Sequence, residues 1–264
     1  MQANDQTPFV SVITVCFNAR EDLLKTLDSV TANRQKMSIL EGRNEENGPL
    51  VEQIVIDGAS KDGTPELLEQ LVMKGVVQHF LSEPDKGIYD AMNKGMRIAQ
   101  GTYILFMNAG DTFREEETLR KLYLQVLTSG KLPDILYGET MIVNDQGEDL
   151  YPRHHQAPKC LTKESYLGGM LICHQSFYAR RSLAPQYDLH YHLSSDYDWC
   201  LKIIEKSQST LYCPEYLTNY LCEGATTRHR WKSLRERFEI MYQHFGLIKT
   251  LRAHMRLLLQ RLKK

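Results

Sequence analysis

Four short β-rich runs, each followed by a polar corner and then by a helical pattern, dominate the first half of this chain. Repeated strand–loop–helix units joined by short links leave few foldable arrangements, of which a mainly parallel, twisted sheet flanked by helices is the simplest. The first run, residues 9–16, is almost continuously apolar, as a strand covered on both faces must be. Asn18 is placed to cap a helix over 21–30, with Leu23, Leu24 and Leu27 on its inner face. Residues 34–49, polar and carrying two glycines, read as an inserted surface loop. The second run, 52–57, ends on Asp57 and a Gly-Ala-Ser-Lys-Asp-Gly turn, after which Thr64-Pro65 opens a helix to about Met73. A third strand is expected over 76–81, a helix over 88–100, and a fourth strand over 102–107 that runs directly into Asn108-Ala-Gly-Asp111.

The second half is less regular. A helix near 115–127, a strand at 135–137, a hairpin turning at Asn144-Asp-Gln-Gly147, and helices around 196–206 and 231–245 are expected. One α/β domain over 1–227 follows, its regular half covering 8–113 and its less regular half 114–227. A basic, amphipathic helical tail takes up 228–264.

From Arg228 onward eleven Lys/Arg face two Glu, so the net charge of −1 hides an acidic body with a basic end. That distribution argues against nucleic acid as the partner, because a binding groove belongs on the fold itself. The tail's mixture of Trp231, Leu234, Phe238, Leu247 and Leu251 with Lys and Arg suits either an anionic membrane surface or a helix packed on the domain. No apolar run approaches the ~18 residues that span a bilayer. Six scattered cysteines without CxxC spacing, and a polar start without an apolar leader, lead to the expectation of a cytoplasmic protein, soluble or held at the inner face of the membrane.

In open α/β sheets ligands bind outside the carboxyl ends of the strands. Here three strands deliver polar groups to that edge: Phe17-Asn18, Asp57 and Asp111. Asp57 suits a nucleobase edge and Phe17 a ring against it, although an aspartate at a turn often only stabilises the turn. Asp111, on a corner after a buried strand, suits a hard cation (Mg²⁺ or Mn²⁺) shared with substrate phosphates. Asp85 and Lys86 precede a helix N-terminus, where anions are favoured, so Lys86 is a candidate for facing a phosphate. Asn93, unfavourable in mid-helix, is expected to hydrogen-bond a nearby loop. In Ser194-Ser195-Asp196-Tyr-Asp198-Trp199 the first turn of a helix carries Asp196, a carboxylate kept ionised as a general base must be. Cys173-His174-Gln175-Ser176 is placed on the acceptor side.

Together these residues resemble a known family. Val10-Ser-Val-Ile-Thr-Val-Cys-Phe-Asn18, the turn Val55-Ile-Asp57-Gly-Ala-Ser-Lys-Asp-Gly-Thr64, Asp90-Ala-Met-Asn-Lys-Gly95, Asn108-Ala-Gly-Asp111 and Ser195-Asp196-Tyr-Asp-Trp199 are similar, in this order, to the family 2 inverting glycosyltransferases of GT-A fold. The phrase Ser82-Glu-Pro-Asp-Lys-Gly-Ile-Tyr-Asp-Ala-Met-Asn-Lys-Gly95 is most similar to the WcaE-like enzymes of colanic-acid, capsule and O-antigen assembly. The resemblance implies a UDP- or GDP-sugar donor bound by the 8–113 half and a lipid-linked saccharide acceptor met by the 114–227 half. It implies a base contact by Asp57, with Phe17, Asp85, Lys86 and Asn93 on the donor side. It further implies a metal–diphosphate contact by Asp111, His174 and Gln175 on the acceptor side, and Asp196 as catalytic base with Asp198 as the alternative register. Two positions depart from the family pattern: Asn108-Ala-Gly-Asp111 has one acidic residue where two are usual, and Ser195 stands where an acid usually precedes the base. A sugar-phosphate nucleotidyltransferase is the rival enzyme, but it calls for a Gly-rich phosphate loop where this chain has Cys16-Phe-Asn-Ala; a non-catalytic nucleotide-sugar sensor is the rival binder. No GxGxxG follows the first strand, which disfavours a dinucleotide oxidoreductase.

Overall fold

The computed structural model describes residues 7–40, 50–222 and 230–262. The opening strand β1 (Val10–Cys16) is buried along its whole length, as is β2 (Val51–Asp57), and the two pair in parallel with Cys16 opposite Asp57. The half-buried edge strand β3 (His79–Ser82) lies outside β2 and β4 (Tyr103–Phe106) on the other side of β1, both parallel. The helices between them, α1 (Arg20–Leu40), α2 (Thr64–Met73) and α3 (Ile88–Ile98), cover the two faces. The alternation along β1 shows this: Val10 and Val12 join one apolar cluster, Ile13 and Val15 the opposite one. Both faces are dry, which is why the polar residues in the run are limited to the small hydroxyl side chains Ser11 and Thr14.

Because the chain leaves β1 towards β2 and β3 and then returns to place β4 on β1's other side, strand order reverses between β1 and β4. The crevice at that reversal, outside the carboxyl ends of the strands, is where open α/β sheets bind ligands. Beyond β4 the sheet order continues β8-β6-β9-β5, with β7 paired to β6. Here β5 is Thr112–Phe113, β6 Ile135–Val143, β7 Asp149–Pro152, β8 Phe177–Arg180 and β9 Thr210–Leu221. β8 runs antiparallel to both β4 and β6, so strands from the two halves of the chain form one sheet. The helices α4 (Thr118–Ser129), α5 (Ser195–Lys206) and α6 (Arg230–Leu262) complete the chain.

Several expectations are corrected. The helix expected over 21–30 continues to Leu40, so 34–40 is helix rather than surface loop; 41–49 falls outside the described residues. Asn18 is not the cap of α1. It sits at φ 48, and its Oδ1 accepts from the Lys61 N–H, tying the end of β1 to the turn after β2. β8 and β9 had no clear alternating pattern and were not foreseen. β6 is nine residues long where three were expected, and its turn at Asn144–Gly147 into β7 follows the expectation. The tail forms one long helix interrupted at Gly246 (φ 75), where the backbone leaves helical geometry. All six cysteines are free thiols.

Candidate active site

Asp111 stands between β4 and β5. Gly110 (φ 98) supplies the left-handed corner, and the short β5 is held against the end of β9, which brings the Leu221 N–H to Asp111 Oδ1 at 3.1 Å. The Gln175 amide donates to Oδ2 at 2.8 Å. Thr26 of α1 braces the same corner: its hydroxyl donates to the carbonyls of Asn108 and Asp111 and accepts from the Gly110 N–H. Burial dominates the electrostatics and pushes the Asp111 carboxyl up to about 6, against the opposing pull of Gln175, Leu221 and the charge of His174. Nearby, Asn108 Oδ1 is buried with no hydrogen-bond partner. A carboxylate with lone pairs to spare beside an orphaned amide oxygen is a hard-oxygen set that fits Mg²⁺ or Mn²⁺ when phosphate oxygens complete the shell. Among the described residues no cluster of three His, Cys, Asp or Glu side chains forms a protein-only cage.

Asp196 is in the first turn of α5. Tyr89, from the first turn of α3, donates its hydroxyl to Asp196 Oδ1 at 3.2 Å, and His174 Nδ1 lies 3.5 Å from Oδ2. Burial alone would raise this carboxyl; the His174 contact, the charges of His174 and Arg237 and the Tyr197 N–H outweigh it and hold Asp196 below the ordinary carboxylate range. Tyr89 is held well above the ordinary phenol range, by burial first and the Asp196 charge second, so it remains a donor. Asp198 faces away. Its carboxylate is paired with His244 Nε2 at 2.8 Å and Lys202 at 2.6 Å, inside the α5–α6 contact.

The 3-10 turn His174–Ser176 links the two carboxylates: His174 reaches Asp196 and the next residue, Gln175, reaches Asp111. Gln175 is fully buried and also receives the Cys173 thiol on Oε1 at 2.7 Å. Its side chain therefore positions Asp111 and does not face an acceptor, contrary to the expectation from sequence. His174 Nε2 is buried without a partner.

At the other end of the crevice, Asp57 is fully buried and saturated. It accepts from the Ser60 N–H and hydroxyl, from the Ser82 hydroxyl at 2.6 Å and from the Cys16 thiol at 3.7 Å. These bonds lock the 57–60 turn to β1 and β3. The Phe17 ring is 62% exposed. Asp85 caps its own loop through the Gly87 N–H at 2.8 Å, and Lys86 extends into solvent. Lys94 anchors that loop from below, bonding the Pro84 carbonyl and Glu83. Asn93 does hydrogen-bond a loop, but a distant one: both ends of its amide engage the Tyr187 backbone at 2.7 and 3.0 Å, and the side chain is buried. Sequence reasoning passed over Tyr89 and Thr26. The signal for Tyr89 was its place one residue into the helix that follows Lys86-Gly87.

The glycosyl transferase family 2 profile matches residues 11–184, from β1 through β8, which takes in Asp57, Asp111 and the 174–176 turn. The chain belongs to glycosyl transferase family 2. It is 29% identical over 226 residues to an uncharacterized glycosyltransferase of Mycobacterium tuberculosis, covering 83% of this chain and 76% of that one. It is 25% identical over 245 residues to the putative teichuronic acid biosynthesis glycosyltransferase TuaG of Bacillus subtilis, covering 90% of each. Among solved structures, S. aureus TarS 1-349 in complex with UDP-GlcNAc superposes with TM-score 0.65 at 15% identity, over 89% of this chain and 64% of that one. The mannosyltransferase PcManGT of Pyrobaculum calidifontis, in complex with GDP-Man and Mn2+, gives 0.56 at 16% identity, over 91% and 64%. The fold is GT-A-like: a mostly parallel, curled sheet with helices on both faces.

Proposed function

We propose that this glycosyltransferase moves a hexosyl unit, with inversion, from a UDP- or GDP-sugar to a hydroxyl of a lipid-linked saccharide in bacterial surface-polysaccharide assembly. The observation that carries the reading is the pairing of Asp111 and Asp196 through the adjacent residues His174 and Gln175. One carboxylate is buried among hard-oxygen donors on the leaving-group side, and the other is held ionised on the attacking side. In a single displacement the acceptor hydroxyl attacks the anomeric carbon, its proton passes to the Asp196 carboxylate, and the C1–O bond breaks with its electron pair leaving on the nucleoside diphosphate. A glycosidase needs two carboxylates flanking the bond; an inverting transferase with a good leaving group needs only the base. Asp111 and Asn108 are the residues that would hold a divalent cation, which supplies charge neutralisation to the departing diphosphate. Tyr89 and His174 orient Asp196, and Lys86, free in solvent beside the α3 N-terminus, is placed to meet a phosphate.

The surface-polysaccharide setting is supported by the similarity to the teichuronic acid enzyme and by the mycobacterial relatives named for PGL/p-HBAD biosynthesis; the narrower WcaE-like assignment rests on the 82–95 phrase alone. Contact with the inner membrane through the tail is part of the same reading. Among the described residues no helix is long and apolar enough to cross a membrane, but the second half of α6 exposes Leu247, Ile248, Leu251, Met255 and Leu259 beside Lys249, Arg252 and Arg256. That is the composition of a helix lying in an anionic interface.

The test of the catalytic assignment is Asp196→Asn. Turnover should fall at least a thousandfold with UDP- or GDP-sugar binding within about threefold of wild type, since base removal touches the transition state and not the donor. An equal loss of both, or near-normal turnover, would remove Asp196 from the role.

A further inference from the structure

The break in α6 at Gly246 re-aims its second half, which lies beyond the residues the family profile matches. Just before the break, Lys163 of the 3-10 turn Lys163–Gly168 pairs with Glu205 at 2.7 Å, donates to the His244 carbonyl and lies over the Phe245 ring. Past Gly246 the helix packs along that turn, between them a cavity of about 520 Å³, a size usual for small-ligand sites. Glu164 and Leu167 line it from the turn; Lys249, Arg252, Ala253 and Arg256, at the i, i+3, i+4, i+7 spacing of one helix face, line it from α6. Lys249 reaches Glu164 at 3.4 Å. Arg252 and Arg256 are exposed and make no hydrogen bond or ion pair among the described residues. Three cations against one carboxylate leave the cavity with two uncompensated positive charges. A phosphodiester brings one negative charge and a diphosphate bridging two groups brings two, so the diphosphate is the better match, and guanidinium forks suit its oxygens. Ile248, Met255 and Leu259, three or four residues from these arginines, are exposed apolar side chains. An anion on Arg252 and Arg256 therefore borders an apolar stripe, as a phosphate headgroup does when its hydrocarbon lies in a membrane interface. The turn's other side leads to the base: the Tyr166 carbonyl accepts from the Tyr197 hydroxyl at 2.6 Å, their rings stack at 5.8 Å, and the Tyr197 N–H donates to Asp196 at 2.9 Å.

We propose that the cavity between the 163–168 turn and the second half of α6 binds the diphosphate of a lipid diphosphate. Arg252 and Arg256 are its anion contacts, and Lys249 is shared between the ligand and Glu164. The group carried on the far phosphate is then directed across the turn towards Asp196. This inference rests on the reading of the protein as a transferase with a lipid-linked acceptor, and deepens it by naming the residues that hold the acceptor's non-reacting end. It also divides the work of α6. The apolar stripe gives affinity for any anionic membrane surface, whereas the cavity chooses among the anions on it.

Vesicle partitioning of the full chain, without added divalent cation, tests it independently of turnover. Phosphatidylcholine vesicles carrying geranylgeranyl diphosphate are compared with phosphatidylcholine vesicles carrying phosphatidylglycerol at the same surface charge. Wild type should partition onto the diphosphate vesicles at least tenfold more strongly, the gain from charge-assisted hydrogen bonds to a second phosphate. Arg252→Ala combined with Arg256→Ala should bring that ratio to within about twofold of unity. Its melting temperature should stay within about a degree of wild type, since both side chains are exposed. Lys232→Ala combined with Arg235→Ala removes two exposed cations from the first half of α6, outside the cavity. That pair should weaken both partitions together and leave the ratio unchanged. Inorganic pyrophosphate, added at the concentration of the vesicle-held diphosphate, should displace less than about a tenth of the bound chain, because it has no hydrocarbon to lie on the stripe. Displacement of half the chain would assign the cavity to a free diphosphate and overturn the lipid. A wild-type ratio near unity, or a ratio untouched by loss of Arg252 and Arg256, overturns the cavity assignment and leaves the transferase reading to stand or fall on Asp196→Asn.

Discussion

At the scale of single residues, the buried carboxylate of Asp111 yields a prediction whose sign is fixed by its environment. An ordinary aspartate titrates near 3.8, and burial raises Asp111 to about 6 in the folded protein. The folded state therefore holds this proton more tightly than the unfolded chain, so the group's favourable contribution is complete below about pH 4 and is lost as pH rises through about 6. Asp111→Asn removes that loss. Thermal melts without added cation should show the variant gaining on wild type by a few degrees between pH 5 and pH 7.5. Added Mn²⁺ should reverse the order by stabilising only wild type. Asn93 gives a contrasting case. Asn93→Ala leaves a buried N–H and carbonyl of Tyr187 unpaired, at a cost of about 2–4 kcal/mol. The melting temperature should fall by roughly 5–10 °C while donor affinity in the folded fraction is unchanged.

Among the elements, the contact of α6 with α5 is ionic and titratable. His244 lies between Asp198 Oδ1 at 2.8 Å and Glu205 Oε1 at 2.9 Å; Lys202 also faces Asp198, and Lys163 faces Glu205. Burial alone would lower His244, but its two carboxylate partners outweigh that and raise it above its ordinary value of 6.5, while both carboxylates are lowered. The His244 contribution is then complete below pH 6.5 and lost as pH rises through its higher folded value; the carboxylate contributions are lost only in acid. Hydrogen exchange over 230–262 should accelerate between pH 6 and pH 9 beyond the intrinsic rate, and His244→Ala should abolish that excess. The same element shows where sequence patterns fall short. The helical repeat of residues 231–245 was readable, but its docking through Asp198 was not, because Asp196 and Asp198 are both first-turn acids of α5 in the sequence. Only the packing of α6 on one side of α5 and of Tyr89 and His174 on the other tells them apart.

For the whole molecule, the apolar stripe on α6 predicts behaviour towards membranes. The wild-type chain should float with vesicles containing phosphatidylglycerol and remain behind with neutral phosphatidylcholine. Leu251→Asp combined with Met255→Asp should abolish flotation without unfolding the domain, since both side chains are more than half exposed. Flotation unchanged by those substitutions would assign the stripe elsewhere.

The parallel half of the sheet, its helices and the ligand-bearing edge were legible in the chain, because period and burial are local properties: a strand covered on both faces must be apolar throughout, and a turn must carry residues that tolerate it. β8 and β9 escaped because their burial depends on partners from distant segments. The roles of Asp57 and Gln175 escaped for a related reason. An aspartate ending a strand looks the same whether its lone pairs are free or taken, and only when Ser60, Ser82 and Cys16 converge on it does Asp57 become a strut. Hydrogen-bond satisfaction is a property of three-dimensional neighbours, so which carboxylates remained open to a ligand was decided by the folded structure.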